Sequence, residues 1–385
     1  MHQTQRTSRA ASPGRPGWWL VAILLAPQAA RAQTPAEWRL APPVFEVGGV
    51  AAGPEAEFAN LGGVTLLDNG NVVIADRVDP FLKVFDPTGR HLRDLAHKGE
   101  GPGEYQYVLS LDWCAPGELS VFDVDRRIHR YTGDMELVGT RSVTLEAIPG
   151  GAAYQQDCHP NGYHVVTGWG DLQRQFKVGL YEATAPVVLL RDQVVVKDFG
   201  ERLSSQRLGL VGSDGAPTGS APHPFGRATV VALGSEKVYL GDARDYAIEV
   251  YDLSGGALPP IVWDGPPLRY DRALVDRLAE QAIAAAPERS RARLRRSYRE
   301  LPDLDRLPAY DRILVSDEDE VWVRQFVRPD AVGEDWMVFD AAHALVGRLR
   351  LPPRSTLWEV REGNAVYSIL DEFDVPVVRV SRIVR

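Results

Sequence analysis

A unit of two short strands joined by a polar corner recurs along most of this chain. In the clearest copy, residues 70–89 read GNVVIADRVDPFLKVFDPTG: an alternating strand ends at Asp76, and a corner, a second strand and a turn follow. Further copies lie at residues 117–133, 236–255, 320–347 and 364–380. Strand pairs of this kind bury their apolar faces by stacking on neighbouring copies. The repeat therefore predicts an all-β chain.

The strand that opens each copy, here called the inner strand, allows the copies to be counted. It occurs six times, at residues 71–76, 118–123, 162–168, 237–242, 321–326 and 365–370. Most steps are close to about 45 residues, a length typical of one four-stranded blade of a β-propeller. The last copy lacks one strand, and residues 38–47 are expected to supply it and close the ring. The sequence predicts a six-bladed β-propeller with four-stranded blades, closed by its N-terminal strand.

Two longer gaps between copies predict insertions. Residues 197–224 are rich in Gly, Ser and Pro and are expected to form a polar loop. Residues 266–308 are helical in character, with Leu274 and Leu278 on one apolar face and Pro287 before a second, Arg-rich helix. This small helical insertion, between blades four and five, is either a hairpin on the rim of the propeller or a lid over its channel.

The first 32 residues have the pattern of a signal peptide. An Arg-containing start precedes an apolar run at residues 18–26, and Ala30-Arg31-Ala32 supplies a small-x-small cleavage site. The run is shorter than the roughly 20 apolar residues that a membrane-spanning helix needs. We therefore expect a signal peptide at residues 1–32, a propeller at residues 33–385 and a periplasmic or secreted protein without a membrane span.

Charge and cysteine content narrow the expected partners and sites. The formal net charge of −9 disfavours nucleic acid as a partner. We expect a monomer that binds a protein or a small molecule. Cys114 and Cys158 occupy nearly matching positions in consecutive repeats, and export permits a disulfide. A bridge needs Cα atoms within about 7 Å, so the sequence leaves open whether the two cysteines are bonded. Two cysteines without a His/Cys cluster do not predict a zinc site.

Several segments resemble a known family. Residues 101–105, GPGEY, and 117–130, GELSVFDVDRRIHR, resemble an NHL repeat, with a Gly-rich lead, a strand ending in V-x-D and an R-I strand. KGEGPGEY at residues 98–105 and LPAYDRILVSDEDEVWV at residues 307–323 are similar to secreted bacterial six-bladed propellers related to NHL proteins. The resemblance spans nearly all of residues 36–385. It implies the six-bladed fold and little about chemistry.

Candidate ligand-binding residues follow from where propellers bind. Loops between second and third strands meet at one mouth of the channel, and an Asp that begins such a loop often accepts backbone hydrogen bonds there. The neighbouring arginines are then available to a ligand, and a ring of them suits an anion. The candidates at this mouth are Arg77, Arg126, Trp169, His223, Arg244 and Arg324.

Two classes of function remain after the motif search. The chain has no G-x-S-x-G, H-E-x-x-H, EF-hand or phosphate-loop pattern, so no catalytic residue and no metal ligand is assigned. The sequence favours a non-catalytic extracytoplasmic binding or scaffold propeller without a cofactor, which recognises a protein or a small anionic ligand. The alternative is a metal-dependent hydrolase or lyase of the gluconolactonase-like type. Enzymes of that type look similar in fold and hold a divalent cation in the channel, which makes calcium the candidate cofactor.

Overall fold

Strands account for most of the described chain, as the repeat predicts. The computed structural model describes His2 and residues 35–385, apart from residues 79, 143–152, 169–173, 193, 212–214 and 330. The predicted signal peptide thus lies outside the described residues, except for His2. No helix within the described residues is long and apolar enough to cross a membrane.

The strands before the helical segment are β1 (Ala36–Leu40), β2 (Phe45–Gly48), β3 (Leu61–Leu66), β4 (Val72–Asp76), β5 (Leu82–Phe85), β6 (His91–Leu95), β7 (Val108–Ala115), β8 (Glu118–Asp123), β9 (Arg127–Thr132), β10 (Leu137–Ser142), β11 (Ala153–Cys158), β12 (Tyr163–Gly168), β13 (Gly179–Arg191), β14 (Val194–Val211), β15 (Pro217–Pro222), β16 (Val230–Leu233), β17 (Lys237–Gly241), β18 (Ala247–Asp252) and β19 (Ala257–Val262). The helices are α1 (Arg272–Ala285) and α2 (Glu288–Arg299). The remaining strands are β20 (Tyr310–Val315), β21 (Val321–Gln325), β22 (Glu334–Phe339), β23 (Leu345–Leu351), β24 (Ser355–Arg361), β25 (Asn364–Leu370) and β26 (Pro376–Val384).

Consecutive strands pair antiparallel in six groups. Groups 1, 2 and 4 are four-stranded sheets, made of β3–β6, β7–β10 and β16–β19. Group 3 is a five-stranded sheet, β11–β15. Groups 5 and 6, β20–β23 and β24–β26 with β2, belong to one nine-stranded sheet, where separate four-stranded units were expected. All six inner strands used for counting are present, as β4, β8, β12, β17, β21 and β25.

The N-terminal segment explains why groups 5 and 6 are joined. β2 runs antiparallel to β26, with Phe45 opposite Val380, and so adds a fourth strand to group 6. β1 pairs parallel with β23 and also antiparallel with the end of β26. Trp38 on β1 is buried and its ring lies edge-on to Trp322, with centroids 5.7 Å apart. The segment expected to close the last unit is therefore two strands, which fasten two neighbouring groups.

Buried apolar clusters lie between neighbouring groups. One cluster joins groups 1 and 2, and others join 3 to 4, 4 to 5, 5 to 6 and 6 to 1. Groups 2 and 3 are linked by a disulfide between Cys114 on β7 and Cys158 on β11, whose Cα atoms are 5.2 Å apart. The first strands of successive groups also touch, for example β3 with β7 and β24. Each group thus contacts the group before and after it.

The polar stretch at residues 197–224 is not the loop that its composition suggested. Most of it belongs to β14, which pairs with β13 from Gly179–Gly209 to Arg191–Val194. Much of β14 is exposed or partly exposed on both faces. A solvated strand of this kind has no apolar alternation, so the Gly, Ser and Pro content predicted a loop where a long hairpin forms.

The predicted helical insertion is present within residues 266–308. The Asp271 side chain caps α1 by accepting a hydrogen bond from the Ala273 amide at 3.0 Å, and Pro287 separates the two helices. Leu274 and Val275 are fully buried in a cluster with Phe225, to which Phe326 also packs. No described helix residue lines the two channel cavities.

Candidate functional site

The first strands of the six groups enclose a channel. Two adjoining cavities of about 310 and about 370 Å³ lie in it. Residues shared by both linings are Val64, Leu111, Asp112, Asp157, Leu314 and Trp358. We call the opening beside Arg77 the Arg77 end and the opposite opening the Arg361 end. The lining combines carboxyl groups, guanidinium groups and indole rings, unlike the apolar clusters between the groups.

Backbone irregularities accompany the charged side chains of this lining. A register shift precedes Asp157 on β11, Arg312 on β20 and Glu359 on β24. A β-bulge inserts an extra residue and changes the direction of the side chain that follows it. Such bulges are frequent beside functional sites because they present a polar side chain from an otherwise buried strand.

Asp157 lies at the centre of the channel wall. Its carboxylate accepts hydrogen bonds from the backbone amides of Leu233 and Cys158, each at 2.8 Å. Burial and the nearby charge of Asp112 raise its pKa to about 8, against the opposing effect of those amides and of Arg312. Asp157 therefore carries a proton near neutral pH and is able to donate a hydrogen bond into the channel.

Glu359 is held by a chain of hydrogen bonds toward the Arg361 end. Its Oε2 accepts from the Thr65 hydroxyl at 2.8 Å and from the Leu66 amide at 3.1 Å. The indole N–H of Trp113 donates to the same hydroxyl at 2.9 Å. Burial raises the pKa of Glu359 to about 7, so this carboxyl group titrates near neutral pH.

Arg312 supplies positive charge to the same wall. Burial lowers its pKa to about 10, which leaves the guanidinium charged near neutral pH, and it lies 5.8 Å from the ring centroid of Trp358. Neighbouring Arg324 already forms ion pairs with Asp311 at 2.7 Å and with Glu334 at 3.1 Å. Arg312 therefore presents its guanidinium to the channel, as do Arg77 and Arg361 nearer the two ends, while Arg324 stabilises the wall.

The four predicted arginines do not form one ring. Arg77 lines the cavity at its own end, where its Nε donates to the Val108 carbonyl at 3.2 Å and its guanidinium covers Tyr107. Arg324 is partly buried in the ion pairs described above. Arg126 and Arg244 are exposed, and neither lines the two channel cavities. The repeat placed the arginines at equivalent corners, but the neighbours of each differ.

Of the two predicted aromatic ligand-binding residues, His223 and Trp169, the structure describes only His223. His223 is buried: one ring nitrogen lies 3.0 Å from the Pro302 carbonyl, and the other accepts from the Phe225 amide at 3.1 Å. Burial lowers its pKa, so the ring is neutral and supports the helical segment. This corrects the expectation that His223 lies on an open rim. Trp169 lies outside the described residues.

Metal-ligand geometry is confined to one place among the described residues. The only group of three His, Cys, Asp or Glu side chains close enough to share an ion is Cys114, Cys158 and His164, and its two sulfurs are bonded to each other. The carboxyl groups of the channel do not meet that criterion.

Sequence reasoning missed the charged residues of the first strands. These are Asp112, Asp157, Arg312 and Glu359. They lie in segments without a shared motif, LDWC, QQDC, DRIL and LWEV. The available signal was an ionisable residue inside four of the six strands that precede the repeated hairpin; β3 and β16 carry none.

Comparisons with known proteins give weak similarities. No family model matches the chain, and the comparison with curated proteins finds no match. A solved member of the DUF4221 family from Bacteroides vulgatus aligns with a TM-score of 0.49 and 10% identity over 91% of this chain and 100% of its own. An exported protein from Bacteroides fragilis gives 0.46 and 11% over 91% and 100%, and the calcium-binding protein regucalcin from Agrobacterium tumefaciens gives 0.41 and 9% over 91% and 97%. At this level they identify neither a family nor a function.

Proposed function

We propose that residues 33–385 form a six-bladed β-propeller that works outside the cytoplasm and binds a small polar ligand in its channel without transforming it. The observation that carries the binding role is the placement of three ionisable side chains in the two adjoining channel cavities: Asp157 lines both, Glu359 lines the first and Arg312 lines the second. Removing ionisable groups from water costs stability, and such groups with shifted pKa values concentrate at functional sites. The signal pattern at residues 1–32 and the disulfide support export.

The six-bladed ring rests on the order of contacts between groups. The clusters and the disulfide link 1 to 2, 2 to 3, 3 to 4, 4 to 5, 5 to 6 and 6 back to 1. Each group then acts as one blade, with its first strand at the channel. β2 completes the sixth blade, and β1 fastens it to the fifth.

The chemistry of the lining favours an amphoteric ligand over the simple anion expected from the arginines. Arg312 offers two N–H groups to a carboxylate, Glu359 suits an ammonium or hydroxyl group, and the protonated Asp157 suits a hydroxyl group. The faces of Trp113 and Trp358 add apolar surface near the same cavity. A volume near 300 Å³ is at the small end of ligand sites, about the size for an amino-acid-like molecule.

Ligand screening by thermal shift, followed by calorimetric titration, tests this proposal. We expect hits among amino acids and related zwitterions, with weaker effects from simple carboxylates. Arg312→Met should weaken a hit by about tenfold or more, as expected when one charged hydrogen bond is lost, and Asp157→Asn should weaken it less, because the protonated Asp157 contributes a neutral hydrogen bond. Asp264→Asn is the matched control because Asp264 is exposed and does not line either channel cavity. Equal affinity of all four proteins would contradict a channel site.

The gluconolactonase-like alternative is tested on the same samples. A resident channel cation stabilises the fold by mass action, so calcium would raise the melting temperature of the wild type. Incubating each hit with the protein and following the ligand by NMR detects turnover. Conversion that stops in a channel carboxylate variant, together with a calcium shift, would replace the binding proposal by the metal-dependent enzyme.

A further inference from the structure

Three side chains whose sulfur or nitrogen atoms bind thiophilic metal ions meet at the junction of the second and third strand groups. Cys114 lies on β7 and Cys158 on β11, while His164 on β12 is directly opposite Cys158 in the antiparallel register. The two sulfurs and a ring nitrogen of His164 all lie within 4.8 Å of one another. The exposed fractions are 5%, 7% and 9%, so the cluster is nearly closed to solvent.

We propose that reduction of this disulfide creates a binding site for a thiophilic metal ion such as Zn²⁺ or Cd²⁺. The ligands are the thiolates of Cys114 and Cys158 and one ring nitrogen of His164. Zinc takes such sulfur and nitrogen donors, and three protein ligands leave a fourth position for water or another ligand. Since Cys158 also lines the cavity of about 310 Å³, the channel gives the ion a route to the sulfur.

The disulfide is reduced by thiol–disulfide exchange with a dithiol. Two electrons and two protons from the dithiol break the sulfur–sulfur bond, which leaves two protein thiols and the dithiol as a cyclic disulfide. Metal binding then releases one proton from each thiol. In the oxidised chain each sulfur is bonded to the other, so the thiol state decides whether metal binds.

The test titrates Cd²⁺ into the purified protein before and after reduction by dithiothreitol, with excess reductant exchanged for a phosphine. Sulfur-to-cadmium charge-transfer absorption and the melting temperature are recorded. We expect one Cd²⁺ per reduced chain and none per oxidised chain. Cys114→Ser with Cys158→Ser should abolish the absorption band.

His164→Gln is the variant that separates this site from a simple dithiol. It should weaken Cd²⁺ binding by at least about tenfold, since even groups outside the ligand set change metal affinity by about 10–100-fold. His159→Gln is the matched control, because His159 also borders the cavity but accepts the Asn161 amide at 3.3 Å. Equal affinity of wild type and His164→Gln would overturn the proposal, as would equal binding by oxidised and reduced protein.

Circular dichroism shows whether the reduced chain stays folded. If reduction unfolds it, we expect Cd²⁺ to restore the β-rich spectrum and raise the melting temperature. Failure of Cd²⁺ to do so overturns the proposal.

Discussion

Replacing Trp38 by alanine should destabilise the protein at the junction of the last two strand groups. Trp38 is only 6% exposed, its ring contacts Trp322, and the Arg385 guanidinium lies 4.8 Å from its centroid. Truncating a buried Trp costs about 3–5 kcal/mol. Large domains lose roughly 2 °C of melting temperature per kcal/mol, so the melting temperature should fall by about 6–10 °C.

Gly347 provides the complementary change. A Cβ on Gly347 would lie 2.4 Å from Cε2 of Trp38, so Gly347→Ala forces the indole out of place. Overpacking of this kind costs about 1–3 kcal/mol. In the Trp38→Ala background the indole is gone, and the same substitution should cost close to nothing. The two changes should therefore be strongly non-additive.

Chemical denaturation of the two single variants and the double variant measures this coupling. Phe373→Ala is the control, since that aromatic ring is 62% exposed and its loss should change stability by no more than about 0.5 kcal/mol. Additive effects of Trp38→Ala and Gly347→Ala would refute the contact between β1 and β23. A Trp38→Ala melting temperature equal to that of wild type would refute the closure of the ring by the N-terminal strands.

Three further predictions concern the ionisable side chains. Asp157→Asn should flatten the decline in unfolding free energy between about pH 4 and pH 8, because native Asp157 (pKa about 8) keeps a proton that the unfolded chain loses near pH 4; denaturation across that range checks this. Arg324→Met should lower stability by about 3 kcal/mol, because it removes the guanidinium partner of the buried Glu334 and the partly buried Asp311, whereas Arg244→Met should change it by no more than about 0.5 kcal/mol. His223→Phe removes the hydrogen bond to Pro302 and should speed proteolysis within the two helices, measured by mass spectrometry of timed digests.

The inner strand of each repeat could be predicted because its signal is local. β4, β8 and their counterparts alternate or run apolar over five to seven residues and end at a turn, and these features are contained in one short segment. The N-terminal closure could also be predicted, since the last repeat lacked a strand and an extended segment was unassigned. That the closing segment is two strands, of which β1 joins two groups, depends on pairing across more than 300 residues and leaves no local mark.

The binding residues were harder to predict because their environment is made by distant segments. Arg324 looked like a free corner arginine, yet its partner Asp311 lies on the paired strand. No motif marks Asp157, and its raised pKa depends on burial and on Asp112, which lies on the first strand of another group. Register shifts at the bulges also break the alternation from which an inward-facing side chain is normally predicted.

The measurement that tests the central claim most directly is a crystal structure of the protein with the tightest ligand from the screen. We predict ligand density in the channel, with a carboxylate of the ligand at Arg312, an ammonium or hydroxyl group at Glu359 and a hydroxyl group at Asp157. Ligand density beside Arg126 or Arg244, with the channel holding no ligand, would contradict the channel as the binding site.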